Sequence, residues 1–142
     1  MSNLLALVSR LDRIESETNT VPSIVPSGAT GVTLTAAAGG AFARGAYAEL
    51  AAASAISSKY KPVAVIVEAV SAADEYEIDL AVGLAGSEAD IGRIRVTGAG
   101  RYTLPSCSYG SANARLAARV GCFDAVARTA NIAVEYIDGL DE

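Results

Sequence analysis

Histidine and tryptophan are absent from these 142 residues, and lysine and cysteine occur twice each, as Lys59, Lys61, Cys107 and Cys122. Without an imidazole, the Ser/His/Asp and Cys/His arrangements of nucleophilic catalysis are excluded in their common forms. A Ser–Lys dyad would have to use Lys59 or Lys61, which sit in a loop beside Pro62. The cysteines form neither a CxxC pair nor a zinc framework. They are expected as reduced, partly buried thiols, bridged only if the fold brings them together. There is no uninterrupted apolar run of about eighteen residues, so no membrane-spanning helix is expected. No run of four basic residues occurs and the net charge is −5. Nucleic acid is therefore not an expected partner, because phosphate neutralisation dominates that kind of binding. Leu4 to Val8 is too short for the core of a secretion signal, lacks a basic lead and runs into Arg10 and Asp12. The chain is expected in the cytosol when it is made.

What is present is small and apolar. Hydrophobic residues make up 51 % and charged residues 19 %, a balance that disfavours disorder, and the length suits one domain plus an extension. Much of the apolar fraction is alanine, with 13 glycines beside it. Small side chains allow sheets and subunits to approach closely but bury little area each, a deficit that self-association offsets. At the start, Leu4, Leu7, Leu11 and Ile14 follow the a/d spacing of a coiled-coil seam, with Ser2 placed to cap it and Asp12, Arg13 and Glu15 off the seam. A helix this short is marginal alone. Residues 1–20 are therefore expected as a helix that forms against copies of itself, on another protein, or along its own domain. Pro22 and Pro26 then favour an extended, semi-rigid connector over residues 21–30.

From Gly31 onward the apolar residues recur with period two, and residues 31–142 are expected as the main domain. Val32, Leu34 and Ala36 alternate with threonines, and Gly39-Gly40 marks a turn. Ala46 to Leu50 reads as a short strand, while Ala51 to Ser58 is open between a helical turn and a strand running into a loop. Pro62 to Val70 is apolar on both parities, which predicts a central strand covered on both faces. Tyr76, Ile78, Leu80, Val82 and Leu84 give the clearest half-buried strand, followed by a turn at Ala85 to Glu88. Ile94 and Val96 alternate with Arg93 and Arg95. Tyr102 to Ser106 carries Pro105, which places it at an edge or ends it. Two further alternating runs end the chain, one from Ala114 to Val120 and one from Asn131 to Tyr136. About eight short strands with turns every eight to twelve residues fit an all-β, antiparallel two-sheet sandwich, most simply a jelly roll. Strand order does not follow from periodicity.

Candidate chemistry is sparse. Glu75, Glu77 and Asp79 are close in sequence and could form a carboxylate pair or hold a cation, but a calcium site at Asp74, Glu75 or Asp79 would need oxygen ligands from several loops, and no loop spacing specifies one. The favoured reading makes them the polar face of a strand, balanced by cross-strand Arg93, Arg95, Arg115 or Arg119. Such an arginine row could also hold an anionic partner. The glycine clusters match no phosphate-binding loop and read as turns. No catalytic, cofactor-binding or metal-binding residue is assigned, and no cofactor is expected.

Three stretches, Gly45-Ala46-Tyr47-Ala48-Glu49-Leu50, Tyr76 to Glu88 and Ala114-Arg115-Leu116-Ala117-Ala118-Arg119, resemble a small β-sandwich found among virion proteins of tailed bacteriophages. These include head-decoration (cement) proteins, head spikes or fibres, and some tail and baseplate components. In such sequences an early strand reads G-x-aromatic-x-E-aliphatic, a middle one carries hydrophobic-D-hydrophobic-A-hydrophobic-G-x-A-G-S-E, and a late one reads G-S-R-hydrophobic-A-x-R. The likeness runs from about Gly31 to Leu140. Tyr47 stands where the early aromatic is often tryptophan, and Gly110 to Arg115 is longer than the usual lead-in. The resemblance implies a homotrimer without catalytic residues, found in the virion after assembly in the host cytoplasm, with the major capsid protein or other virion proteins as partners. Leu4, Leu7, Leu11, Ile14, Val21, Ile24 and Val25 would supply the oligomer or capsid contact. Two alternatives accompany this reading: a tail-fibre or baseplate domain that touches the host, and a carbohydrate- or ligand-binding module. The scarcity of aromatics counts against a sugar-stacking platform.

Overall fold

The computed structural model describes residues 21–28 and 30–140. Their elements are strands: β1 (Ser23–Val25), β2 (Val32–Thr35), β3 (Ala48–Ala51), β4 (Lys59–Val70), β5 (Tyr76–Val82), β6 (Ala89–Val96), β7 (Gly100–Thr103), β8 (Leu116–Cys122) and β9 (Thr129–Leu140). The helix expected within residues 1–20, with Leu4, Leu7, Leu11 and Ile14, lies outside the described residues.

The strands form two antiparallel sheets. Sheet A runs β1-β9-β4-β7, with β2 also on β9, and sheet B runs β3-β8-β5-β6. The pairs β2·β9, β3·β8, β4·β7 and β5·β6 nest inside one another. That nesting is a single long antiparallel hairpin rolled over on itself, the jelly-roll winding. Each sheet contributes its inward parity to one core. Val65, Val67, Ile132 and Val134 come from sheet A and Ile78, Leu80, Leu116 and Val120 from sheet B, all essentially inaccessible. Two tyrosines are buried with them, and their hydroxyls donate to carbonyls at the sandwich ends, Tyr60 to Ala114 at 3.0 Å and Tyr76 to Ala72 at 2.7 Å. A buried hydroxyl without such a partner would be costly.

Several local expectations change. Ser23–Val25 is a strand on β9, opposite Val134 to Tyr136, so part of the 21–30 connector belongs to sheet A. Residues 52–58 form turns and bends, which resolves the open stretch after β3. β4 lies inside sheet A between β9 and β7, but among the described residues no second layer covers its outer side. Its apolar residues fall on both parities because register shifts at Pro62/Ala64 and Val67/Ala69 change which residues point inward. On the outer side Ala64 is fully buried; Glu135 of β9 stands opposite it, and Arg101 of β7, opposite Ile66, joins Glu135 in a bidentate pair with Nη2–Oε2 at 2.8 Å. β7 stops at Thr103, before Pro105, and is an edge strand as expected.

Candidate functional site

Inward placement of Tyr76, Ile78 and Leu80 sends Glu77, Asp79 and Ala81 to the outer face of sheet B. Register then decides their company. Glu77 stands opposite Arg95 and Asp79 opposite Arg93 on β6, while on β8 Gly121 faces Glu77 and Arg119 faces Asp79. Residues 42–45 extend edge strand β3 irregularly along β8: Phe42 N–H donates to the Cys122 carbonyl at 2.8 Å and Gly45 N–H to the Val120 carbonyl at 3.0 Å. This strap delivers Arg44 to the same face. Two glycines permit the approach. A Cβ on Gly45 would strike the Thr35 carbonyl, and one on Gly121 would sit 2.6 Å from Arg44 Nη1 and against the Phe42 carbonyl.

The result is a lattice of guanidiniums and carboxylates. Asp79, whose side chain is 1 % exposed, accepts from Arg44 Nε at 2.8 Å, Arg93 Nε at 2.7 Å and Arg119 Nε at 3.0 Å. Glu77 pairs with Arg44, with Arg95 at 2.8 Å and with Arg93 at 3.6 Å. Arg119 also reaches Asp90 at 3.5 Å, and the Tyr47 hydroxyl donates to Asp90. Aromatic rings back the outer guanidiniums: Arg95 lies 4.5 Å from the Phe42 ring centroid and Arg119 4.5 Å from that of Tyr47. Burial alone would raise the pKa of Asp79 and of Glu77. The surrounding arginines outweigh it and hold both below the ordinary carboxylate values. Burial and the Asp90 carboxylate push the Tyr47 hydroxyl up to about 12.

A second lock closes the far end of this face. Arg115 Nε meets Glu49 at 2.9 Å, and its Nη1 meets Glu88 at 3.3 Å and the Gly83 carbonyl at 3.2 Å. Glu88 in turn accepts from the Gly86 N–H at 2.8 Å. Each partner comes from a different one of the three stretches singled out in the sequence. Those stretches supply β3, β8 and β5, which are neighbours in sheet B.

This geometry decides what the candidate groups can do. Glu77 and Asp79 are saturated by arginines, as the cross-strand reading expected, and offer no open edge to a metal or a substrate proton. Glu75 precedes β5 and is exposed. Asp74, Cys122 and Asp124 bring ligand-type atoms within 4.8 Å of one another, but Asp124 is held by Arg128 at 2.8 Å and by the Val126 N–H at 3.1 Å. Both thiols are free, Cys122 buried and Cys107 half-buried. Burial pushes Cys107 up to about 11, although the nearby Lys61 ammonium opposes it. Lys59 and Lys61 lie over the Tyr109 ring, at 4.6 and 5.4 Å from its centroid. Of the expected contact residues that are described, Val21 and Ile24 are exposed whereas Val25 belongs to the core. Sequence periodicity found Glu77, Asp79, Arg93, Arg95, Arg115 and Arg119. It missed Arg44, Phe42 and Asp90, and marked Tyr47 only through its glycine-led stretch.

No family model matches the chain, and no curated protein matches it. Among solved structures, it is similar to the CBM36-1 domain of a multidomain xylanase from the hindgut metagenome of Trinervitermes trinervoides, at 16 % identity and a TM-score of 0.44, over 86 % of this chain and 100 % of that one. It is also similar to the CBM22-1–GH10 modules of the Clostridium thermocellum endo-1,4-β-D-xylanase 10B, crystallised with xylohexaose. There identity is 10 % and the TM-score 0.37, over 84 % of this chain and 26 % of that one. At this level of likeness no residue of either neighbour maps onto a role here.

Proposed function

We propose that the chain is a non-catalytic structural protein of a tailed-phage particle, a head-decoration or head-spike-base protein that assembles as a trimer. Its N-terminal segment, with Leu4, Leu7, Leu11 and Ile14 leading into exposed Val21 and Ile24, is the end that meets the capsid. The observation that carries the reading is the convergence of Glu49, Glu88 and Arg115. The three stretches that resemble virion sandwiches supply adjacent strands of one sheet, and Arg115 of one joins Glu49 and Glu88 of the other two. The same lattice occupies Glu77 and Asp79, two of the carboxylates the sequence offers as a pair.

Cosedimentation with particles of a phage that encodes the chain tests this. The full chain should pellet with heads and Leu7→Asp/Leu11→Asp should stay in solution, while mass measurement should return a trimer. A clean monomer at micromolar concentration together with no cosedimentation would sink the reading. A second reading, a carbohydrate-binding module, is favoured by the partly exposed rings of Tyr109 and Phe123, 51 % and 56 % accessible, since aromatic rings at the surface are what sugars stack on. Retardation in a xylan-containing affinity gel that is lost in Phe123→Ala or Tyr109→Ala would establish it instead. A tail-fibre or baseplate placement would show as cosedimentation with tails.

A further inference from the structure

The outer face of sheet B holds its carboxylates deeper than two of its arginines. Arg44, Arg93, Arg95 and Arg119 converge on Glu77, Asp79 and Asp90, and Arg115 with Glu49 and Glu88 completes the face, so its charges balance in number but not in depth. The charge turned outward at its centre is therefore positive. Arg93 and Arg95 keep 57 % and 52 % of their side chains accessible after their contacts to Asp79 and Glu77 are made. A guanidinium carries five donors, and these two spend few of them on the lattice.

The arginines are also held still. Glu77 fixes one edge of Arg95 while the Phe42 ring backs its face, and Asp79 and Tyr47 do the same for Arg119. Donors already fixed in place lose less entropy when they bind. Beyond Phe42 lies Phe123, 5.7 Å between ring centroids and exposed, with exposed Val126 in the same connection between β8 and β9. Fixed arginines beside an apolar aromatic rim have the composition of a protein-binding hot spot.

We infer that this face, centred on Arg93 and Arg95 with Phe42 and Phe123 at its rim, is a docking surface for an acidic protein segment. Charge complementarity selects the occupant. The outward donors suit carboxylates, and the rim suits an apolar side chain next to them. Its residues are not those assigned above to attachment, so the chain would have two contacts with its surroundings.

The test uses the full chain and a fluorescein-labelled deca-glutamate peptide, read by anisotropy at low salt. Binding is expected to weaken about ten-fold in Arg93→Gln/Arg95→Gln and to be lost near 0.5 M salt, where screening is strong. Lys59→Gln/Lys61→Gln, at the opposite end of sheet A, should bind like the parent. If the double arginine variant fails to fold, the single Arg95→Gln variant, altered at a half-exposed side chain, should still weaken binding several-fold. No binding by the parent, or equal loss in the lysine variant, would overturn the assignment. So would displacement by inorganic sulfate at the same charge concentration, which would mark a small-anion site. The peptide assay reads this face and particle cosedimentation reads attachment, so the two fail independently.

Discussion

Replacing Asp79 by asparagine keeps the shape of the side chain and removes the charge on which three arginines converge. Arg44, Arg93 and Arg119 each place Nε within 3.0 Å of its carboxylate. Taking away one partner of a buried ionic group costs about 3–5 kcal/mol, because the remaining charges stay desolvated and unpaired. Here Arg93 is more than half exposed and Arg119 retains some access to water, so both rehydrate and the lower end, about 3 kcal/mol, applies. For a domain of this size that corresponds to a fall in Tm of about 10 °C. Arg93→Gln, which removes one exposed partner, should cost only about 0.5–1 kcal/mol. Urea melts of the two variants and the parent provide the assay. The pH dependence adds a second signature. The arginines hold the Asp79 pKa below its unfolded value, so its contribution is complete above about pH 4 and disappears as pH falls through the lower folded value. The parent should therefore lose stability in acid more steeply than Asp79→Asn. An Asp79→Asn variant within about 1 kcal/mol of the parent, with an unchanged acid profile, would refute the lattice as a stabilising hub.

Other expectations follow from packing and access. Gly121→Ala should displace the Phe42–Arg44 strap, because the added methyl has no room beneath it. The loss of Arg44 from Glu77 and Asp79 should appear as a Tm drop and as shifted amide resonances on β5. Leu116→Ala, at a fully buried position shared by β3, β5 and β8, should destabilise by about 2–5 kcal/mol in denaturant melts. Neither thiol should react promptly with a disulfide reagent at pH 8 in the native state, since Cys122 is buried and Cys107 is pushed up to about 11. Both should react once the chain is unfolded in urea, and a single fast thiol in the native protein would contradict the burial.

Much of this molecule is legible in its alternation. β5, β6, β8 and β9 each present one apolar parity, so their existence and their outward charges follow from the side-chain period of two. Once Glu77 and Asp79 are on the outer face, arginines on neighbouring strands are the natural partners. What alternation cannot supply is the third dimension of that face. Arg44 sits in a glycine- and alanine-rich strap without period, and its contact with Asp79 depends on how the strap crosses β8. β1 is three residues long and lies between two prolines, so nothing local distinguishes it from a connector. Its pairing with Val134 to Tyr136 is fixed only by the fold. The two-sided apolar pattern of β4 suggests a buried central strand, yet it arises from register shifts that a period count does not register.

The central claim is that this sandwich is part of a phage particle. Immunogold labelling of intact particles, with antibody raised against the folded chain, tests it most directly. The account predicts gold at regular positions over the head. Particles that carry no label, while the chain is recovered free from the same lysate, would contradict it.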